Sequence, residues 1–207
     1  MSTAILPPPI YPVSTPFSVR NPQSLRCNVA EFYEMGDRGE FDQRHVMLID
    51  GEILEMPLAN PPHATAEGLV EEILRTIFAT GYVVRAEKPL PLNQMSDPVP
   101  DIAVVSGSIR DYARNHPKSA VLVVEVSDSS LPYDTGDKSS LNAAAAIADY
   151  WVVDLVHRQL VVMRDPVVDA GQRFGYGYAT VTTLAIGQSA SPLAAPGAVV
   201  AVADLMP

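Results

Sequence analysis

The chain has 207 residues, with 24 acidic against 14 basic side chains and a formal charge of −10. A hydrophobic share of 47% and a charged share of 18% suit one cored globular domain and exclude a disordered chain. Such an acidic balance does not attract polyanions, so action on nucleic acid requires a local basic surface or a bound cation.

Residues 1–22 hold six of the 19 prolines without any hydrophobic period, and read as an extended arm before a single domain at 23–207. The opening MSTAILPPPIYPVSTPF lacks a positive segment and a continuous apolar run, so no signal peptide is read there. No later stretch is long and apolar enough to span a bilayer, and a cytoplasmic location is expected. Cys27 stands alone, which excludes an intrachain disulfide and a multi-cysteine zinc site.

NVAEFYEM, from Asn28, predicts a short helix capped by Asn28 and stopped at Gly36. In HVMLIDGEILEM, Asp50-Gly51 is a two-residue hairpin signal between apolar strands. A first long helix is predicted over 63–80, with Val70, Ile73, Leu74 and Ile77 on one face and Gly81 at its end. YVVRAEKPLPL then reads as a strand that breaks up at its prolines. Extended pieces at 101–105 and 120–127 are joined by GSIRDYARNHPKS. A second helix is predicted over 136–148, a hairpin over DYWVVDLVHRQLVVMRD, and weaker strands near 178–184 and 198–202. The fold class is α/β (α+β): a central mixed sheet with antiparallel hairpins, flanked by helices.

In VLVVEVSDSS, residues 121–130, one glutamate interrupts an otherwise apolar strand. Alternation puts Val123, Glu125 and Ser127 on one face, and both faces are apolar enough for an interior strand. A carboxylate there must be neutral, paired or bound to a cation. Asp101, in VPDIAVV, opens a second apolar strand. If the two strands are neighbours, the acids form a hard oxygen site suited to Mg²⁺ or Mn²⁺. Lys138, Leu141 and Ala145 share a helical stripe, which carries the ammonium inward. The plainer alternatives are a structural ion pair for Glu125, turn chemistry for Asp101, and a surface pair of Lys138 with Asp134.

The ordered set of Pro100-Asp101, Glu125-Val-Ser, Asp134-x-x-x-Lys138 and YWVVD at 150–154 resembles the Uma-type restriction endonuclease family. That family is a branch of the PD-(D/E)XK nuclease superfamily. LIDGEILEMP at 48–57, His63 before the first helix, and SPLAAPG near the end extend the likeness over roughly 28–206. The resemblance implies a restriction-endonuclease-like core, with Asp101 and Glu125 holding Mg²⁺ (or Mn²⁺) and Lys138 positioning the attacking water at a phosphodiester. It also implies that Asp134 orients Lys138, and that Glu67 is a second-tier ligand; a solvated carboxylate is the alternative there, and a core histidine is the alternative for His63. The chain departs from the pattern at Ser127, where the superfamily places its lysine. It departs again at Met47, Asn142 and Ala146, where the family carries glutamate, tyrosine and glycine.

Two functions follow. One is a metal-dependent DNA endonuclease, its DNA contacts supplied by Arg110, Arg114 and Lys118, which form one basic face if their connector is helical and a solvated loop otherwise. Arg85 and Lys88 are further candidates. The other is a nuclease-fold binding module without turnover, which the acidic charge and Met47 suit. The arm and the apolar C-terminal stretch are candidates for homodimer contacts. A third reading treats the carboxylates as a structural salt-bridge cluster.

Overall fold

The structure is a computed structural model that describes residues 24–207, so the arm read at 1–22 lies outside the described residues. Helix α1 (Val29–Asp37) begins with a reciprocal cap: the Asn28 side chain accepts from the Glu31 N–H at 3.1 Å, and the Glu31 carboxylate accepts from the Asn28 N–H at 2.8 Å. It runs one residue past Gly36, and the left-handed turn falls instead at Gly39, φ 80°.

Strands β1 (Val46–Ile49) and β2 (Glu52–Glu55) pair antiparallel around Asp50 and Gly51, with φ of 52° and 77°. Two left-handed residues make the tight turn whose twist matches a hairpin. A Cβ on Gly51 would stand 2.7 Å from Arg26 Cβ and 2.8 Å from Met95 Cε. Gly51→Ala is therefore expected to cost about 1–3 kcal/mol in a urea melt, from left-handed strain together with these clashes; an unchanged midpoint would refute this account of the turn. The hairpin forms its own small sheet, joined to the body where Leu48 and Asp97 exchange backbone hydrogen bonds at 2.8 and 3.3 Å.

The central sheet has the order β3-β4-β5-β6-β7-β8, from β3 (Tyr82–Ala86), β4 (Ile102–Ser106), β5 (Leu122–Ser127), β6 (Asp149–Asp154), β7 (Gln159–Val168) and β8 (Tyr176–Ala185). Only β5 and β6 run parallel, and every residue of these two strands is buried. Their continuous apolar text is what a strand covered on both faces requires. Helix α2 (Pro61–Ile77) covers one face, packing Ala66, Val70 and Leu74 on Val84, Val104, Val124 and Trp151. On the other face Val123, Tyr150 and Val152 meet Ala103, Val105 and Ile147.

Two helix boundaries differ from the sequence reading. α2 starts earlier, because Asn60 caps the His63 N–H and Pro61 and Pro62 fill the first turn. It ends at Ile77, before Phe78 leaves helical geometry. The second helical stretch starts at α3 (Leu131–Tyr133), passes through a π turn at Asp134–Lys138, and ends with α4 (Ser139–Ala144). It stops at Ala146, φ 57°, a backbone setting that favours the glycine implied by the resemblance. β8 is longer than expected, and its residues 179–183 are exposed on both faces, which removes the alternation that marks a half-buried strand. The C-terminal extended pieces β9 (Ser189–Ala190) and β10 (Val200–Ala201) form a separate two-stranded sheet. Among the described residues, no helix is long and apolar enough to cross a membrane.

Candidate active site

The register Ile102↔Val124 places Asp101 and Glu125 opposite one another at the end of the β4–β5 pair. The Asp101 N–H donates to Glu125 Oε2 at 3.4 Å, and the Val126 N–H donates to Asp101 Oδ2 at 2.6 Å. Lys138, from the π turn, donates to Glu125 Oε2 at 2.9 Å and stands 3.2 Å from Asp134 Oδ1, too oblique there for a hydrogen bond. His63 Nε2, from the first turn of α2, lies 3.5 Å from Asp101 Oδ2. Asp101, Glu125, Lys138, Asp134 and His63, all singled out in the sequence, thus converge.

The side chains of Glu125 and Asp134 are 1% exposed and that of Lys138 is 13% exposed, whereas Asp101 is 18% exposed and opens the group to solvent. Three carboxylates face one ammonium, so the cluster carries two uncompensated negative charges when ionised. Burial raises the Glu125 carboxyl, with Lys138 opposing and Asp101 and Asp134 reinforcing. Burial pulls Lys138 down, but Glu125, Asp134 and Asp101 outweigh it, and the ammonium stays protonated through neutral pH. His63 is raised first by its contact with Asp101, against burial.

The π turn is held from two sides. Tyr150 Oη donates to the Asp134 carbonyl at 2.8 Å, and Asn142 Nδ2 donates to the Lys138 carbonyl at 2.9 Å. Asn142, which departs from the resemblance, thereby anchors the lysine. Ser127, where the superfamily pattern has its lysine, is fully buried beside Ser130.

Glu67, one turn beyond His63, is raised to about 7 by burial and then by Glu87 and Asp101. Glu87 escaped the sequence reading. Its N–H donates to the Asp101 carbonyl at 2.9 Å, and its backbone is left-handed, φ 46°. Only the strand pairing brings it there, because nothing in AEKP marks it. The connector at 106–120 is helical only at Ile109–Tyr112, so of the two alternatives for Arg110, Arg114 and Lys118 the single basic helical face does not form. Arg114 and Lys118 instead line a separate cleft.

Raised carboxyls bind protons in the folded state that the unfolded chain releases, so stability falls as pH rises between the two values. Glu67, ordinarily 4.5 and here about 7, sets the window, and Glu125 and His63 act with the same sign. The melting temperature in chelator is expected to fall from pH 5 to pH 7.5. A flat or rising profile would contradict the site's excess negative charge.

The Uma2 family, described as a putative restriction endonuclease, matches residues 29–203. The chain belongs to that family. A crystal structure of a putative nuclease belonging to DUF820, from Anabaena variabilis ATCC 29413, shares the fold of this Uma2 chain. Its TM-score is 0.57 at 13% identity, over 79% of this chain and 90% of that one. No curated protein matches the chain. The Uma2 chain is thus a mixed α+β protein of nuclease fold in a restriction endonuclease family. Its Met47, where the resemblance implies glutamate, is 6% exposed and packs with Ile49 and Leu141, so that position brings no carboxylate to the site.

Proposed function

We propose that the chain is a divalent-cation-dependent DNA endonuclease with Asp101, Glu125 and Lys138 as its catalytic groups. The observation that carries this reading is the convergence of two register-opposed acids with a buried ammonium, in a cluster of three carboxyls to one lysine that is open on the Asp101 side. Asp101 Oδ1 and Glu125 Oε1 accept no hydrogen bond among the described residues, which leaves one oxygen of each acid for a cation. Among the described residues no group of three or more His, Cys, Asp or Glu is arranged to hold a metal ion, so the site offers two carboxylates only. Two carboxylates with positions left for water and phosphate fit Mg²⁺ or Mn²⁺, which retain such ligands. A cation bound there supplies activation of the attacking water and neutralisation of phosphate charge.

The protein's own groups do the rest. Lys138, kept protonated, acts as an electrostatic group at the developing phosphate charge and not as the base. Asp134 holds it in place, and His63 orients Asp101. Glu67, poised near neutrality, is the group nearest in character to a proton acceptor. A homodimer belongs to the same reading. It is supported by the open edge of β8, where Val181 is 56% exposed, and sedimentation of the purified chain would test it.

Supercoiled plasmid incubated with Mg²⁺, Mn²⁺ or chelator tests the function. Nicking in metal that stops in chelator is expected. No nicking, together with no heat of metal binding by calorimetry, would overturn the proposal in favour of a nuclease-fold binding module, the reading that Met47 favours.

A further inference from the structure

Six of the thirteen described lysines and arginines are neutralised by neighbours: Arg26, Arg38, Arg75, Lys138, Arg164 and Arg173 each sit in an ion pair. Arg44, Arg85, Lys88, Arg110, Arg114, Lys118 and Arg158 have none among the described residues, and five of these seven lie between positions 85 and 118. In a chain of formal charge −10, this is a local reversal of sign. It coincides with a cleft of about 820 Å³ between α1 and the 106–120 connector, lined by Arg114, Lys118, His116, Tyr33 and Tyr112. Arg114 and Lys118 are exposed.

The aromatic groups are held in place from behind. Arg85 lies over the Tyr112 ring at 5.7 Å and contacts His116 Nδ1 at 3.1 Å. A guanidinium only donates, so Nδ1 accepts and the imidazole proton sits on Nε2. His116 stacks on Tyr33, whose hydroxyl donates to Asp97 at 2.8 Å. Arg85 pairs with Ala103, two residues from Asp101 and on the same sheet face, roughly 7 Å along the strand. Arg85, which backs the cleft through Tyr112 and His116, thus lies on the sheet face that carries Asp101.

We infer that this cleft holds an unpaired, single-stranded segment of the nucleic acid flanking the scissile phosphate. The inference rests on the nuclease reading and names its substrate class. Exposed, unpaired cations suit backbone phosphates, and rings at the wall of a cleft can stack only on bases that have left the duplex. A duplex keeps its bases stacked inside and is too wide to enter a cavity of this size.

The test is fluorescence anisotropy in chelator, with a labelled single-stranded oligothymidylate and a hairpin duplex as probes, so that binding is read without cleavage. Tighter binding of the single strand is expected. Arg114→Gln with Lys118→Gln should weaken it by about tenfold and flatten its salt dependence. Tyr33→Leu should weaken it several-fold with the salt slope unchanged. Glu125→Gln should bind at least as well as wild type while failing to nick plasmid, which separates the cleft from the cutting site. Equal or tighter duplex binding, or unchanged affinity in the double variant, overturns the inference even if plasmid nicking is observed. Single-strand binding that depends on the cleft, without any nicking, removes the nuclease reading and leaves the cleft. Should the double variant melt early, Lys118→Gln alone, at an exposed position, gives the same reading.

Discussion

Plasmid nicking by Glu125→Ala in Mg²⁺ or Mn²⁺ is expected to fall at least about a hundredfold, the scale on which a preorganised charged group acts at a reacting centre. Asp101→Ala should fall as far. The reasons differ from that for Lys138→Ala, and the measurements can separate them. Removing either acid takes away an oxygen with no protein partner, so the heat of Mn²⁺ binding should shrink together with the rate. Removing Lys138 takes positive charge from beside Glu125, where the ammonium stands 2.9 Å away, and cation affinity should hold or rise while the rate drops. Nicking that survives all three substitutions would place the cutting chemistry elsewhere on the chain.

The second large effect is on stability. Lys138→Met leaves Glu125 and Asp134, each 1% exposed, with no cation beside them. Breaking a buried pair from one side costs about 3–5 kcal/mol. The loss should be largest at pH 8 in chelator, where both carboxyls are pressed to ionise, and smaller at pH 5, where they can take up protons. A divalent cation should restore part of it. Urea melts at the two pH values, with and without Mn²⁺, make the comparison. Equal stability of variant and wild type at pH 8 in chelator would mean that the lysine does not offset these charges. Glu125→Gln is the informative partner. It relieves repulsion among the acids but forfeits the hydrogen-bonded ion pair, so a gain in apo stability favours a cation site and a loss favours a salt-bridge cluster.

Features set by a few neighbouring residues could be read from the chain alone. The Asn28–Glu31 cap, the Asp50-Gly51 turn and the buried character of 122–127 each depend on contacts within four residues or on simple alternation. The conflict of a carboxylate within an apolar strand was visible for the same reason, and it marked Glu125 before any partner was known. Pairing was not visible. Asp101 meets Glu125 only because β4 and β5 are neighbours in a particular register, and Glu87 joins them through β3. Lys138 was expected to turn inward from a regular helix starting at 136. It does turn inward, but through a π turn held by Tyr150, which lies outside that helix, and by Asn142 one turn on. Arg114 and Lys118 could be read as a basic helical face or a solvated loop, and the helix does not form; what gathers them is the packing of the connector against α1, with Arg85, Tyr33 and His116 drawn from 31 or more positions apart in sequence. Propensity and capping act over one turn of chain. The neighbours of a charge are chosen by which apolar faces bury one another, and that is a property of the whole core.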